Sequence, residues 1–121
     1  MYYKVCNVHT DGTFWSVNRT EEFPPEFRVK YVPGEWTTPA IPNTQLFVFD
    51  SLEHAKDFEY VQMGCTHTAI FECEVKEPIP VEHVAYSEWV QQYWTNKEPG
   101  LLYPAPQGTV GCSAVKMGVR V

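Results

Sequence analysis

The chain has 121 residues and a formal net charge of −6, with 44% hydrophobic, 15% aromatic and 20% charged residues. That length suits one domain, residues 1–121, around one core, and so much large apolar material excludes a disordered chain. Nine Lys and Arg face fifteen Asp and Glu, with no basic block, which excludes a groove for DNA or RNA and an anionic-membrane surface.

The longest apolar runs, such as Leu46 to Phe49, hold about four residues, whereas a membrane helix needs roughly 20. The start of the chain lacks the apolar stretch of a secretion signal, so a cytoplasmic protein is expected (in the host cytoplasm if viral). Cys6, Cys65, Cys73 and Cys112 form no Cys-x-x-Cys pair. In a reducing compartment they are expected to be free thiols.

Tyr2 to Val8 reads as a strand, with Tyr3 and Val5 alternating against Lys4. Asp11-Gly12 marks a hairpin turn, and Phe14 to Val17 returns. After Phe23-Pro24-Pro25, the residues Phe27, Val29 and Tyr31 alternate with Arg28 and Lys30, a strand with one buried face. Pro33-Gly34 ends it. The prolines at 33, 39 and 42 keep the next stretch extended and out of any central ladder. Leu46 to Phe49 reads as a central strand covered on both sides.

Asp50-Ser51 supplies an N-cap for a helix over Leu52 to Gln62, whose apolar stripe is Leu52, Ala55 and Phe58. Thr68 to Val75 is a strand with Phe71, Cys73 and Val75 on one face and Glu72 and Glu74 on the other. Strand, helix and strand in that order suggest a crossover. Ser87 caps a second short helix running to Trp94. Residues 96–107 read as loop, and Gly108 to Cys112 and Ala114 to Arg120 as closing strands. The expected fold is α+β: a mostly antiparallel sheet of five to seven strands with two short helices.

Few motifs carry chemistry. Cys65-Thr66-His67 is half a zinc site, short of the four ligands zinc takes, and no metal or cofactor is expected. There is no Walker loop, no dinucleotide fingerprint and no nucleophile elbow. Two groups of residues stand out instead. Arg28 and Lys30 share the polar face of one strand, and the adjoining Trp36, Thr37 and Thr38 offer an aromatic plane and two hydroxyls, with Tyr31 and Trp15 as neighbours. A cation beside an aromatic ring suits a phosphate and a base, with Arg28 on the phosphate and Trp36 stacked on the base. The second group, Tyr86, Trp89, Tyr93 and Trp94, cannot all use one helix face, so aromatic surface is expected at an interface.

The segments Tyr31-Val32-Pro33-Gly34-Glu35-Trp36-Thr37, Leu46 to Ala55 and Ile70 to Val75, with Gly108-Thr109 and Ala114-Val115-Lys116, resemble small proteins of phages and prophages that carry no catalytic assignment. The strand–Asp-Ser–helix–strand element also looks like a piece of compact ADP-ribosyltransferase folds, although the His, Tyr and Glu set of those enzymes has no place on this sequence.

The phage resemblance implies a non-catalytic antagonist of host defence. It would sequester a small nucleotide-type immune messenger or, alternatively, cover a defence enzyme through the aromatic surface. An ADP-ribosyltransferase-like enzyme is a further alternative. A homo-oligomer is expected from the aromatic content and from chain ends that read as strands.

Overall fold

A computed structural model describes residues 1–17, 28–39, 44–62, 67–85 and 102–121. Along the chain run β1 (Tyr2–Val8), β2 (Phe14–Ser16), β3 (Lys30–Tyr31), β4 (Trp36–Thr37), β5 (Leu46–Phe49) and α1 (Leu52–Gln62). They are followed by β6 (Thr68–Lys76), β7 (Ile79–Pro80), β8 (His83–Ala85), β9 (Leu102–Pro104), β10 (Thr109–Cys112) and β11 (Ala114–Arg120). Every strand pair is antiparallel.

The main sheet has nine strands in the order β4-β11-β6-β1-β5-β10-β7, with β2 on β1 and β3 on β2. In a flat sheet β11 and β10 would stand four strand spacings apart, roughly 19 Å at about 4.8 Å each. In the chain only Ser113 separates Cys112 from Ala114, a reach of at most about 8 Å. The sheet must therefore curl until β10 and β11 meet as one bent strand. β6 and β7 bend at the same corner, where Ser113 N–H donates to the Lys76 carbonyl at 2.9 Å and Glu77 takes a positive φ of 53°. β1, β6, β11/β10 and β5 thus close a small barrel, sealed by the single registered pair Tyr3↔Phe49.

The barrel's inner face is the main core: Cys6, Tyr31, Leu46, Val48, Phe71, Cys73, Cys112, Val115 and Met117 form one buried cluster. The outer face of β1, β5 and β6 contributes Val5, Phe49 and Ile70 to a second cluster that Ala55 of α1 completes, with Leu52 and Phe58 packed on it. α1 supplies Leu52, Ala55 and Phe58 at three-residue spacing, so a single stripe lands on the sheet. Phe58 meets Phe49 with ring centroids 5.1 Å apart. Burying side chains of this size stabilises by about 1.5–3 kcal/mol each. Ser51 Oγ accepts the His54 N–H at 3.2 Å, which caps the helix as expected.

Several expectations need correction. The strands outnumber the expected five to seven by β4, β7, β8 and β9, of which β4 and β7 are two-residue pairings inside proline-rich stretches. β9 lies within a stretch read as loop, and β8 was not anticipated. The second helix, Ser87 to Trp94, lies outside the described residues. β5 and β6 do run parallel, but β1 stands between them, so the crossover through α1 skips one strand.

β1 is buried on both faces, not one, and Lys4 points into the barrel. The chain ends are not free sheet edges either: β1 is central and β11 is covered by β4. Among the described residues no helix is long and apolar enough to cross a membrane.

Candidate functional site

The hairpin β1–β2 and the short β3 extend the outer face of the sheet beyond α1. Trp15 pairs with Lys30 and Phe14 with Tyr31. Ser16 N–H donates to the Val29 carbonyl at 2.8 Å and Val29 N–H to Ser16 Oγ at 3.0 Å, so the same register runs on. It brings Arg28 opposite Val17, which packs on the cluster under α1. Phe14, Val29 and Tyr31 belong to the inner core. By the two-residue period of a strand, Trp15, Lys30 and Arg28 take the opposite, outward face.

Three features make this face chemically distinctive. Trp15 is fixed: its Nε1–H donates to Thr13 Oγ1 at 2.9 Å, and its ring stacks on His9 with centroids 5.4 Å apart and planes 19° from parallel. Lys30 is exposed across from it. Arg28 is half-buried and its Nε is buried without a hydrogen-bond partner, the one such side-chain atom among the described residues. An unpaired buried donor costs on the order of 1–3 kcal/mol, and a guanidinium offers Nε and one Nη together to a planar or tetrahedral oxyanion. At the hairpin tip, Asp11 accepts from the Thr13 hydroxyl at 2.5 Å and the Thr13 N–H at 3.0 Å. Those two bonds hold its carboxyl below the ordinary value, with His9 and Lys30 adding to the effect.

The residues grouped by sequence therefore divide. Arg28 and Lys30 lie on the outer face next to β2. Tyr31 is no surface contact: it is 2% exposed and sits in the barrel because it is one step out of phase with Lys30. Trp36, Thr37 and Thr38 lie at the β11 side of the sheet, with Trp36 opposite Lys116 and Thr37 opposite Val115. Trp36 is exposed and does meet a cation, but the partner is Lys76, whose Nζ lies 4.5 Å from the ring centroid. The aromatic plane beside Arg28 and Lys30 is Trp15. Tyr86, Trp89, Tyr93 and Trp94 lie outside the described residues.

Two further polar arrangements were not foreseen. Inside the barrel, Lys4 Nζ donates to the Phe47 carbonyl at 2.7 Å and sits 4.7 Å from the Tyr31 ring centroid. Burial, the largest influence, works against the ammonium. Tyr31, then Cys6 and Cys112, outweigh it, so the lysine pKa stays above its ordinary value. Burial likewise raises Tyr31 and pushes the thiols up to about 11 for Cys6 and Cys112 and about 12 for Cys73. These thiols are protonated at neutral pH and are not nucleophiles there. Lys4 shares its strand face with Tyr2, Cys6 and Val8, but a lysine alternating with Tyr3 and Val5 gave no signal of an inward place.

At the start of α1, His54 Nδ1 and Asp50 Oδ1 lie 2.6 Å apart. The Asp50 hydrogen bond raises the histidine pKa. The Cys65-Thr66 half of the zinc-like motif is outside the described residues, and His67 is exposed. No group of three potential metal ligands occurs among the described residues.

Comparison with protein-family models, with curated proteins and with solved structures returns no match to this chain.

Proposed function

We propose that the protein is a non-catalytic binder of a small nucleotide-type ligand, held on the outward face of β2 and β3. The observation that carries this reading is the buried, unpartnered Nε of Arg28, on the same strand face as Lys30 and beside the fixed ring of Trp15. An oxyanion there would meet two positive charges and, on a turn of the Arg28 side chain that uncovers Nε, satisfy the orphan donor, and a base would find an aromatic plane. The chain's resemblance to phage and prophage proteins supplies the biological role: withdrawing a nucleotide immune messenger from host defence by sequestration.

Isothermal titration with mononucleotides, cyclic nucleotides and cyclic ADP-ribose isomers tests the reading. Removing one side of a desolvated charge pair costs about 2–5 kcal/mol, so Arg28→Ala is expected to weaken binding by a factor of roughly 30 or more. An Arg28→Ala variant that binds as tightly as the parent would show the site to be wrong.

A further inference from the structure

Resting on the binder reading above, we infer that the ligand class is a single flat ring carrying a single phosphate, a nucleoside 5′-monophosphate in size and charge, and not a cyclic oligonucleotide. Three features of the face set this limit. The first is spacing. Trp15 and Lys30 are directly opposed, with about 5 Å between their Cβ atoms. Arg28 is two residues further along the strand from Lys30, about 7 Å away. A plane and a cation pair at that separation match a base and its own phosphate, linked by one sugar.

The second is the number of planes. One face of Trp15 is stacked on His9, so at most one face remains for a base. Trp36, the exposed tryptophan ring of the described residues, lies against β11 with Lys76 over it, at a different side of the sheet. The third is charge. Arg28 and Lys30 together balance one phosphate dianion. A second phosphate toward the hairpin tip would meet the Asp11 carboxylate, which is ionised and lies close enough to Lys30 to interact with it. In the other direction the face runs into Val17 and the apolar cluster under α1.

Titration of the whole chain with five probes reads each part separately: adenosine 5′-monophosphate, adenosine, ribose 5-phosphate, adenosine 5′-diphosphate and a cyclic di-adenosine nucleotide. The expected result is that the monophosphate binds at least tenfold more tightly than adenosine or ribose 5-phosphate. The diphosphate and the cyclic dinucleotide are expected to gain nothing over it. Trp15→Ala should reduce monophosphate binding at least tenfold while leaving the weak ribose 5-phosphate binding in place. Trp15→Phe, which keeps a ring, should retain most of the affinity and guards against a folding defect, checked by thermal melting.

A cyclic dinucleotide that binds tenfold more tightly than the monophosphate would overturn the single-nucleotide limit while leaving the binder reading intact. Equal binding of ribose 5-phosphate and the monophosphate would overturn the assignment of the ring to Trp15. Failure of all five probes to bind would overturn both this inference and the reading it rests on.

Discussion

Lys4 shows how a single side chain departs from its pattern. Its ammonium bonds the Phe47 carbonyl near the fork where one edge of β1 passes from β5, at Tyr3, to β2, at Cys6. A buried charge is held at high desolvation cost, so an apolar residue of similar volume tends to be neutral or stabilising, whereas truncation is not. Lys4→Met is therefore expected to change stability by less than about 1 kcal/mol or to raise it. Lys4→Ala, which opens a cavity, should lose about 2–5 kcal/mol. Urea denaturation of the two variants separates the effects, and a large loss in Lys4→Met would mean that the ammonium itself holds the fork. The thiols make a second residue-scale prediction. With pKa values pushed up to about 11 or 12 by burial, Cys6, Cys73 and Cys112 should resist alkylation at pH 7.5 in the native protein and label fully in urea. Peptide mapping by mass spectrometry reads this, and native labelling of any of the three would contradict their placement. Sequence alone could place Cys73 in a buried face by its phase with Phe71 and Val75. It could not place Lys4 inside, because a lysine flanked by Tyr3 and Val5 reads as the solvent side of an alternating strand.

At the scale of elements, α1 was legible from its sequence, since a cap, a three-residue apolar stripe and the preceding strand all agree. What was hidden is the way the turn before β10 sits on its first turn. Gly108 has φ +83°, and a Cβ there would overlap His54 Nδ1 and Asp50 Oδ1, while Asp50 N–H donates to the Gly108 carbonyl at 3.0 Å. Gly108→Ala should destabilise by about 2 kcal/mol or more, from both the positive φ and the overlap. Adding His54→Ala should recover the part of the overlap that His54 makes, an interaction visible in a double-mutant cycle. Additive effects would show that the two do not touch. The same pair gives a pH dependence. The folded His54 pKa lies above its ordinary value of 6.5, chiefly through the Asp50 hydrogen bond. Its contribution to stability is therefore full below about pH 6.5 and is lost as the pH rises through the folded value. Melting temperatures measured from pH 6 to 9 should include a fall that disappears in His54→Gln. An identical profile in the variant would remove His54 as its source. The two-residue strands β4 and β7 were illegible for a different reason. Their pairing is set by the barrel corner and by distant partners, and not by local alternation.

At the scale of the whole molecule, closure of the barrel decides what the surface can offer. β1 and β11, read as free ends, are interior. The strands that finish the sheet path are β4 and β7, which are short and carry or adjoin Pro33, Pro39, Pro78 and Pro80, a common guard against edge pairing. The proposal of a homo-oligomer now rests on aromatic surface alone. Light scattering tests it, with a mass above 14.0 kDa in its favour and a mass of one chain against it. The candidate site was half legible. Arg28 and Lys30 could be put on one face by period two, but their aromatic neighbour is set by the β2–β3 register, which pairs Lys30 with Trp15 and carries Trp36 to another strand. If the orphaned Arg28 Nε–H is the donor to a bound oxyanion, its own NMR signal reports the contact. On titration with adenosine 5′-monophosphate, the Arg28 Nε–H cross-peak, assigned by its loss in Arg28→Lys, should move downfield and exchange more slowly with water as it gains an acceptor. A peak that stays in place through saturating nucleotide would rule out Arg28 as the phosphate contact.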